Sequence, residues 1–228
     1  MNSKKIVVIS LGGSLIVPGA IDVAYLKKLK LFIEKYIKKG WRFIIVTGGG
    51  KTSRRYQEAA GKVTKLSDED LDWLGIHTTK LNAHLLRAIF RKDAHPVLSK
   101  NPEIKFFFER PLLIASGWKP GWSTDYVSVK MAETYGVHTV LNLSNIDYVY
   151  TSDPKKNNGA KKIKDTTWSA FQNIVGTKWI PGTNLPFDPI ASKLAKKLGL
   201  DVYIVQGKDL KNIENVLKGK QFKGTHIH

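Results

Sequence analysis

Short β-branched runs that break off at a glycine turn and lead into an amphipathic helix constrain this fold more than any other feature. Residues 5–10 (Lys-Ile-Val-Val-Ile-Ser) form a continuous apolar run without alternation, the pattern of a strand buried on both faces, and end in Leu11-Gly12-Gly13-Ser14. From Asp22, a capping residue type, to Lys39, the residues Leu26, Leu29, Ile33 and Ile37 recur at spacings of three and four, and Gly40 stops the helix. Residues 41–46 repeat the strand pattern, closed by Gly48-Gly49-Gly50, and a basic helix follows from Lys51. Ser67 opens a further helix with Asp70 placed for a capping box and with Leu74, Leu81, Leu85 and Ile89 as its expected buried stripe. Residues 111–116 and 138–143 read as strands, the first leading into a Gly/Ser/Thr loop at 117–125 and a helix, the second into Ser144-Asn145-Ile146-Asp147. The segment 155–164 carries five lysines and reads as an exposed loop. Asp188-Pro189 starts a helix ending at Gly199; strand 201–205, helix 209–218 and an edge strand at 224–228 complete the chain.

Strands alternating with helices predict an α/β fold with a mainly parallel sheet covered on both faces. Ligands bind at the carboxyl ends of strands in such sheets. Each glycine turn follows a strand, so all should converge on one edge.

The 228 residues suit one large domain or two closely merged ones, and 42% hydrophobic residues suffice for a core. No run reaches the length of a membrane span, and the apolar run after Lys5 is too short for a secretory signal. Cysteine is absent, which excludes disulfides and cysteine metal sites. A cytoplasmic protein is expected. The net charge of +18 suits an anionic partner: nucleotide, phosphorylated metabolite or nucleic acid. Part of that charge, Lys27, Lys28, Lys30, Lys35, Lys38 and Lys39, falls in the first long helix and reads as a solvated face. Nucleic acid rests on charge alone, because the basic residues are dispersed and no recognition motif occurs.

Glycine lets the backbone approach a ligand closely, and the N–H groups at a following helix start favour an anion. Gly12-Gly13-Ser14 and Gly48-Gly49-Gly50 fit this physics, though neither is a Walker A or a Rossmann fingerprint. A tight structural turn is the alternative for each alone. Lys51, Arg54 and Arg55 sit in the first turns of a helix, where cations oppose the dipole; facing phosphate explains them, and a basic surface turn is the alternative. Asp72 could accept from a sugar hydroxyl, with an exposed first-turn carboxylate as the alternative. Asp125 and Asp147 follow strand–turn junctions and suit holding a magnesium–phosphate complex, with N-capping as the alternative. Tyr148, Tyr150 and Trp179 are candidates for stacking on a base or for packing. The six histidines show no metal spacing, and His226 and His228 are merely two apart, so no protein metal site is expected. No hydrolase arrangement is apparent.

These residues resemble the amino acid kinase superfamily, and within it the archaeal-type uridine monophosphate kinases, over nearly the whole length. The resemblance rests on Ser-Leu-Gly-Gly-Ser-Leu at 10–15, Val-Thr-Gly-Gly-Gly-Lys at 46–51, Leu-Asp-Trp-Leu-Gly-Ile at 71–76, Leu-Asn-Ala-His-Leu-Leu at 81–86 and Ser-Thr-Asp at 123–125. The most telling stretch is Asn-Ile-Asp-Tyr-Val-Tyr-Thr-Ser-Asp-Pro at 145–154; Asp188-Pro189 and Gly224-Thr225 also fit. The resemblance implies a single domain with a three-layer α/β/α sandwich of about eight strands. Its acceptor-binding part would lie roughly at 1–135 and its ATP-binding part at 136–228. It implies transfer of the ATP γ-phosphoryl group, with Mg2+, to UMP in pyrimidine nucleotide biosynthesis, by a homo-oligomer (a hexamer built as a trimer of dimers, or a dimer). Non-catalytic binding of a nucleotide or oxyanion, as a regulator or storage protein, and phosphorylation of another small acceptor are the alternative readings.

Carried onto this chain, Gly12, Gly13 and Ser14 would meet the ATP phosphates, Gly49 the UMP, and Gly50 and Arg54 the ATP. Asp72 would hold the UMP ribose. Trp118, Lys119, Pro120, Gly121, Trp122, Ser123, Thr124 and Asp125 would wrap the uridylate. Ser144, Tyr150 and Asp153 would bind the adenosine part, and Asp147 would sit beside the phosphates as a catalytic residue. Three positions depart from the pattern: Ser10 stands where many relatives have lysine, Tyr148 where glycine is usual, and bulky Trp118 and Trp122 in the acceptor loop. With Ser10 in place, Lys51 or a lysine of the 155–162 loop is expected to stabilise the transferring group. Isopentenyl phosphate kinases of the superfamily usually have histidine after the triple-glycine turn; Lys51-Thr52-Ser53 argues against that acceptor.

Overall fold

The structure, a computed structural model, describes residues 5–107, 109–154, 156–176 and 185–228. Trp179 and Lys155 lie outside the described residues. In chain order the elements are β1 (Ile6–Leu11), α1 (Gly13–Ile16), α2 (Val23–Ile37), β2 (Arg42–Thr47), α3 (Gly50–Val63), α4 (Asp68–Ile89), β3 (Leu112–Ala115), α5 (Thr124–Tyr135), β4 (Thr139–Ser144), β5 (Val149–Tyr150), β6 (Lys162–Ile163), β7 (Asp165–Thr166), α6 (Trp168–Val175), α7 (Pro189–Leu198), β8 (Asp201–Gln206), α8 (Leu210–Leu217) and β9 (Thr225–Ile227).

One seven-stranded sheet runs in the order β3-β2-β1-β4-β8-β9-β7, and β5 and β6 form a separate hairpin. The strands from β3 to β8 in that order are all parallel. Side chains alternate across this sheet. Val7, Ile9 and Leu11 point into one core with α2, α4 and α8, while Val8, Ile44 and Val46 point into a second with α5, α6 and α7. The unbroken apolar runs follow from this two-sided burial.

Helix limits match the capping chemistry. Asp22 accepts from the Tyr25 N–H, Ser67 and Asp70 form the capping box, and Asp188 accepts from Ile190 and Ala191 with Pro189 at the first turn. Gly199 ends α7 in the left-handed region at φ +60°. The lysines of α2 face solvent except half-buried Lys30, as expected of a solvated face.

Two expectations are corrected. The expected α4 stripe holds in part: Leu85 and Ile89 are partly buried against the core, but Leu81 is 63% exposed, and Ile76, Thr78, Thr79, Asn82, Ala83 and Leu86 are the buried residues. Thr78 and Asn82 of this face lie against the second glycine turn, where hydrogen-bonding side chains are needed, while Ala83 and Leu86 pack into the core. Residues 224–228 do not make the edge; β9 lies inside, antiparallel to β8 and parallel to β7, which takes the edge. A two-residue strand such as β7 carries no periodic signal.

Candidate active site

Because β1, β2, β3, β4 and β8 run parallel, the segments that follow them meet at one edge of the sheet. The two glycine turns touch main chain to main chain. A Cβ placed on Gly13 would lie 2.1 Å from the Gly50 nitrogen and 2.6 Å from the Gly48 carbonyl carbon. Gly50 adopts φ +69° as it opens α3, the left-handed region that glycine occupies without strain. Gly12 donates to the Leu143 oxygen at 2.9 Å and Gly48 to the Leu11 oxygen at 2.9 Å, so both turns are tied to strand ends. Ser14, in α1, is half-buried. The second turn is also held from α4: the Asn82 Nδ2 donates to Gly48 O at 2.7 Å and to Gly49 O at 3.2 Å. This role of Asn82 was invisible in the sequence beyond its presence in a matching stretch.

Lys51 follows at the second position of α3, half-buried, with its N–H donated to Val17 O at 3.0 Å. Arg54 and Arg55 are exposed one turn further on. Among the described residues none of the three has an ion-pair partner, and no acidic residue occupies the first turn of α3. Three cations at a helix start without carboxylates are a place for an external anion.

Asp125 is the central carboxyl of the edge. It is not an N-cap; Ser123 caps α5 by accepting from the Tyr126 N–H. One Asp125 oxygen accepts from the Ser10 hydroxyl at 3.0 Å and from the Asn142 amide at 3.2 Å, and the other lies 3.3 Å from the Asp188 N–H. Ser10 and Asn142 are register partners on β1 and β4, and both are buried. Burial, and next the Asp188 carboxylate beside it, push Asp125 up to about 7, against the pull of the Ser10 and Asp188 hydrogen bonds. This network joins four segments distant in sequence, and the involvement of Asp188 was missed from sequence.

The 117–125 loop is anchored by carboxylate and hydroxyl groups of α4. Asp72 Oδ2 accepts from the Gly121 N–H at 2.7 Å, and Thr79 Oγ1 accepts from the Gly117 N–H at 2.8 Å. Gly121, at φ +84°, turns the loop over Asp72. Trp118 and Trp122 stack at 6.1 Å, Trp122 lies 4.0 Å from the Tyr126 ring, and the Lys119 ammonium stands 4.1 Å from the Trp118 centroid. Pro120 and Thr124 complete the loop, half-buried.

On the far side, Ser144 O receives the Gly207 N–H at 2.8 Å, and its hydroxyl accepts from Ile146 N at 3.3 Å. Asp147 is exposed in the turn before β5. Tyr150 lies on β5 opposite Lys162, and Asp153 is exposed beyond it. The hairpin hangs from Thr225, whose hydroxyl accepts from Val149 N at 2.8 Å and donates to Ile163 O at 2.5 Å. This explains the closing Gly-Thr: Gly224 passes against Ile204, where a Cβ would meet the carbonyl oxygen at 2.6 Å.

Residues 5–206 match the amino acid kinase family. The chain belongs to that family. Uridylate kinase of Pyrococcus abyssi is 33% identical over 97% of this chain and 98% of its own length. Uridylate kinase of Thermococcus kodakarensis is 32% identical over 97% and 98%. The crystal structure of uridylate kinase from Archaeoglobus fulgidus superposes with a TM-score of 0.83 at 28% identity, covering 97% of this chain and 99% of that one.

Ser10 gives Asp125 a hydroxyl donor. Tyr148 lines the groove beneath α8, with the Lys162 ammonium 5.3 Å from its ring.

Proposed function

We propose that this amino acid kinase family chain phosphorylates UMP with ATP, giving UDP and ADP, as its relatives' name, uridylate kinase, describes. The observation that carries the reading is the contact of Gly13 with Gly48–Gly50, with Asp125 recessed behind it. Turns 12–14 would hold the donor phosphates, 117–125 the acceptor, and 48–50 both. Backbone N–H groups and Lys51 neutralise charge as it develops, and the two anions are held in line. Asp125 orients the reacting groups through Ser10 and Asn142. The transferring group passes from the donor's β–γ bridge oxygen to an acceptor phosphate oxygen, without an enzyme-bound intermediate. Asp72 keeps Oδ1 for a ribose hydroxyl while Oδ2 holds Gly121. Tyr150, Ser144 and Asp153 would take the adenosine.

Asp125 and Asp147 offer hard oxygen donors of the kind magnesium takes together with nucleotide phosphates, so these residues fit that ion, which when bound neutralises phosphate charge. Among the described residues no helix is long and apolar enough to cross a membrane.

A coupled assay across UMP, CMP, acetylglutamate, carbamate and isopentenyl phosphate is expected to show UMP as the fastest acceptor; a much faster rate with another would overturn the assignment. Lys51→Met is expected to lower kcat ~100-fold or more, the scale of losing one transition-state donor. Its unfolding midpoint should barely move, because Lys51 has no ion pair among the described residues to lose. Wild-type kcat in Lys51→Met would transfer the role to Lys156, Lys161 or Lys162.

A further inference from the structure

Strand geometry places a second set of chemistry-bearing side chains away from the phosphate-binding edge. His226 and His228, two apart on and just past β9, point to the same face of the sheet. In β7, Asp165 is the register partner of His226; in β8, Tyr203 is. Asp201, two residues before Tyr203, shares that face. Side-chain geometry agrees with this placement. The two oxygens of Asp165 lie 2.9 Å from His226 Nδ1 and 3.2 Å from His228 Nε2. The other nitrogen of His226, Nε2, lies 2.7 Å from Asp201 Oδ1. One ligand atom from each of Asp165, His226 and His228 falls within 4.8 Å of the others.

From this constellation we propose a binding site for one divalent first-row transition-metal ion of the zinc class, ligated by His226 Nδ1, His228 Nε2 and Asp165, with Asp201 fixing the His226 ring from behind. Imidazole with carboxylate is the donor set such ions take, and a fourth position is left to water. Tetrahedral bonds of about 2.1 Å separate donors by about 3.4 Å, so the pairs at 2.9 and 3.2 Å need open by only a few tenths of an ångström. Two of the three ligands have room to do so: the side chains of Asp165 and His228 are 63% and 47% exposed. His226 is the fixed one. Its ring stacks on Tyr203 at 4.5 Å and 8°, and the Asp201 carboxylate on Nε2 is the outer-sphere partner that sets a ligating tautomer.

The charges favour a metal over protons. His226 has a carboxylate at both nitrogens, so a neutral ring can satisfy only one of them. Protonating both His226 and His228 would put two imidazolium rings 5.0 Å apart. A single divalent ion satisfies both rings and Asp165 at once. The ion would staple the two-residue edge strand β7 to β9, one residue from Thr225, which suspends the β5–β6 hairpin. Sequence spacing could not show this site, because its third ligand lies 61 residues from His226.

The test uses the full chain without an affinity tag, dialysed against a chelator and free of nucleotide. Calorimetric titration with Zn2+ is expected to show one equivalent bound, and Co2+ to give the visible absorption of a four-coordinate ion. The unfolding midpoint should rise with Zn2+ concentration. Asp201→Asn, a change at the outer-sphere partner of His226 that leaves all three ligating atoms in place, is expected to weaken Zn2+ binding by ~10–100-fold. His228→Asn, a change at a half-exposed side chain, should abolish the Co2+ spectrum while circular dichroism stays native. Failure of the wild type to bind, equal binding by wild type and His228→Asn, or a midpoint that responds to pH and not to Zn2+ would each overturn the site.

Discussion

Gly13→Ala is expected to leave no measurable phosphotransfer and to lower the unfolding free energy by several kcal/mol. Intrinsic propensity points the other way, since alanine in a helix is favoured over glycine by about 1 kcal/mol. Space decides. The added Cβ would stand 2.1 Å from Gly50 N, 2.6 Å from Gly48 C and 2.7 Å from Gly49 C. All three are main-chain atoms, so no side chain can rotate aside. The turns must separate, and overpacking that moves backbone costs about 1–3 kcal/mol or more. Separation also misplaces both phosphate cradles, and an ångström of displacement is enough for ~100-fold in rate. Gly61→Ala is the matched control: Gly61 lies in α3 with nothing within 4 Å of its would-be Cβ. There the same change should stabilise by a few tenths to about 1 kcal/mol and leave kcat intact. Urea unfolding and steady-state rates on both variants read the contrast. Activity in Gly13→Ala equal to wild type would mean that contact between the turns is not needed.

Most of the frame was legible because each local signal agreed with the global one. The apolar runs of β1 and β2 can be satisfied only by burial on both faces, and the caps at Asp22, Ser67 and Asp188 mark helix starts by hydrogen-bonding arithmetic. Convergence of the glycine turns then follows from parallel strands alone. The α4 stripe held only in part, for a physical reason. Periodicity finds the most apolar face, whereas this helix turns Thr78 and Asn82 toward the glycine turn and leaves Leu81 outside. Contacts distant in sequence were equally silent: Ser10 and Asp125 are 115 residues apart, and Asp125 and Asp188 are 63 apart. A lone Asp or Ser looks the same in sequence whether it caps a helix or meets another carboxyl across a sheet edge. The weakest signals were the two-residue strands β5, β6 and β7, which take their conformation from partners already in place.

The Asp125 network makes the second large prediction, and its sign follows from burial and from the Asp188 carboxylate beside it. With the carboxyl raised to about 7 from a reference of 3.8, the folded state holds a proton that the unfolded chain releases. The favourable contribution is therefore complete below about pH 4 and is lost as pH rises through about 7. Between pH 5 and 7 the loss amounts to about 3 kcal/mol at 1.36 kcal/mol per unit, an upper figure because Ser10 and Asn142 already donate to the carboxylate. Asp125→Asn removes the titration but keeps the shape. Its stability relative to wild type should improve from pH 5 to about pH 7 and then level off, while its kcat falls ~100-fold or more, the loss expected of the proposed orienting group. Paired urea titrations at pH 5 and pH 8 decide the first part; a difference between variant and wild type that is constant with pH would show that Asp125 is ionised throughout. A carboxyl held near neutrality by burial and by Asp188 can accept or release a proton as phosphate charge arrives. Lysine at position 10 would fix Asp125 as a permanent anion. Ser10 supplies Asp125 a hydroxyl donor and no charge, so under the proposed mechanism cations such as Lys51 carry the charge compensation.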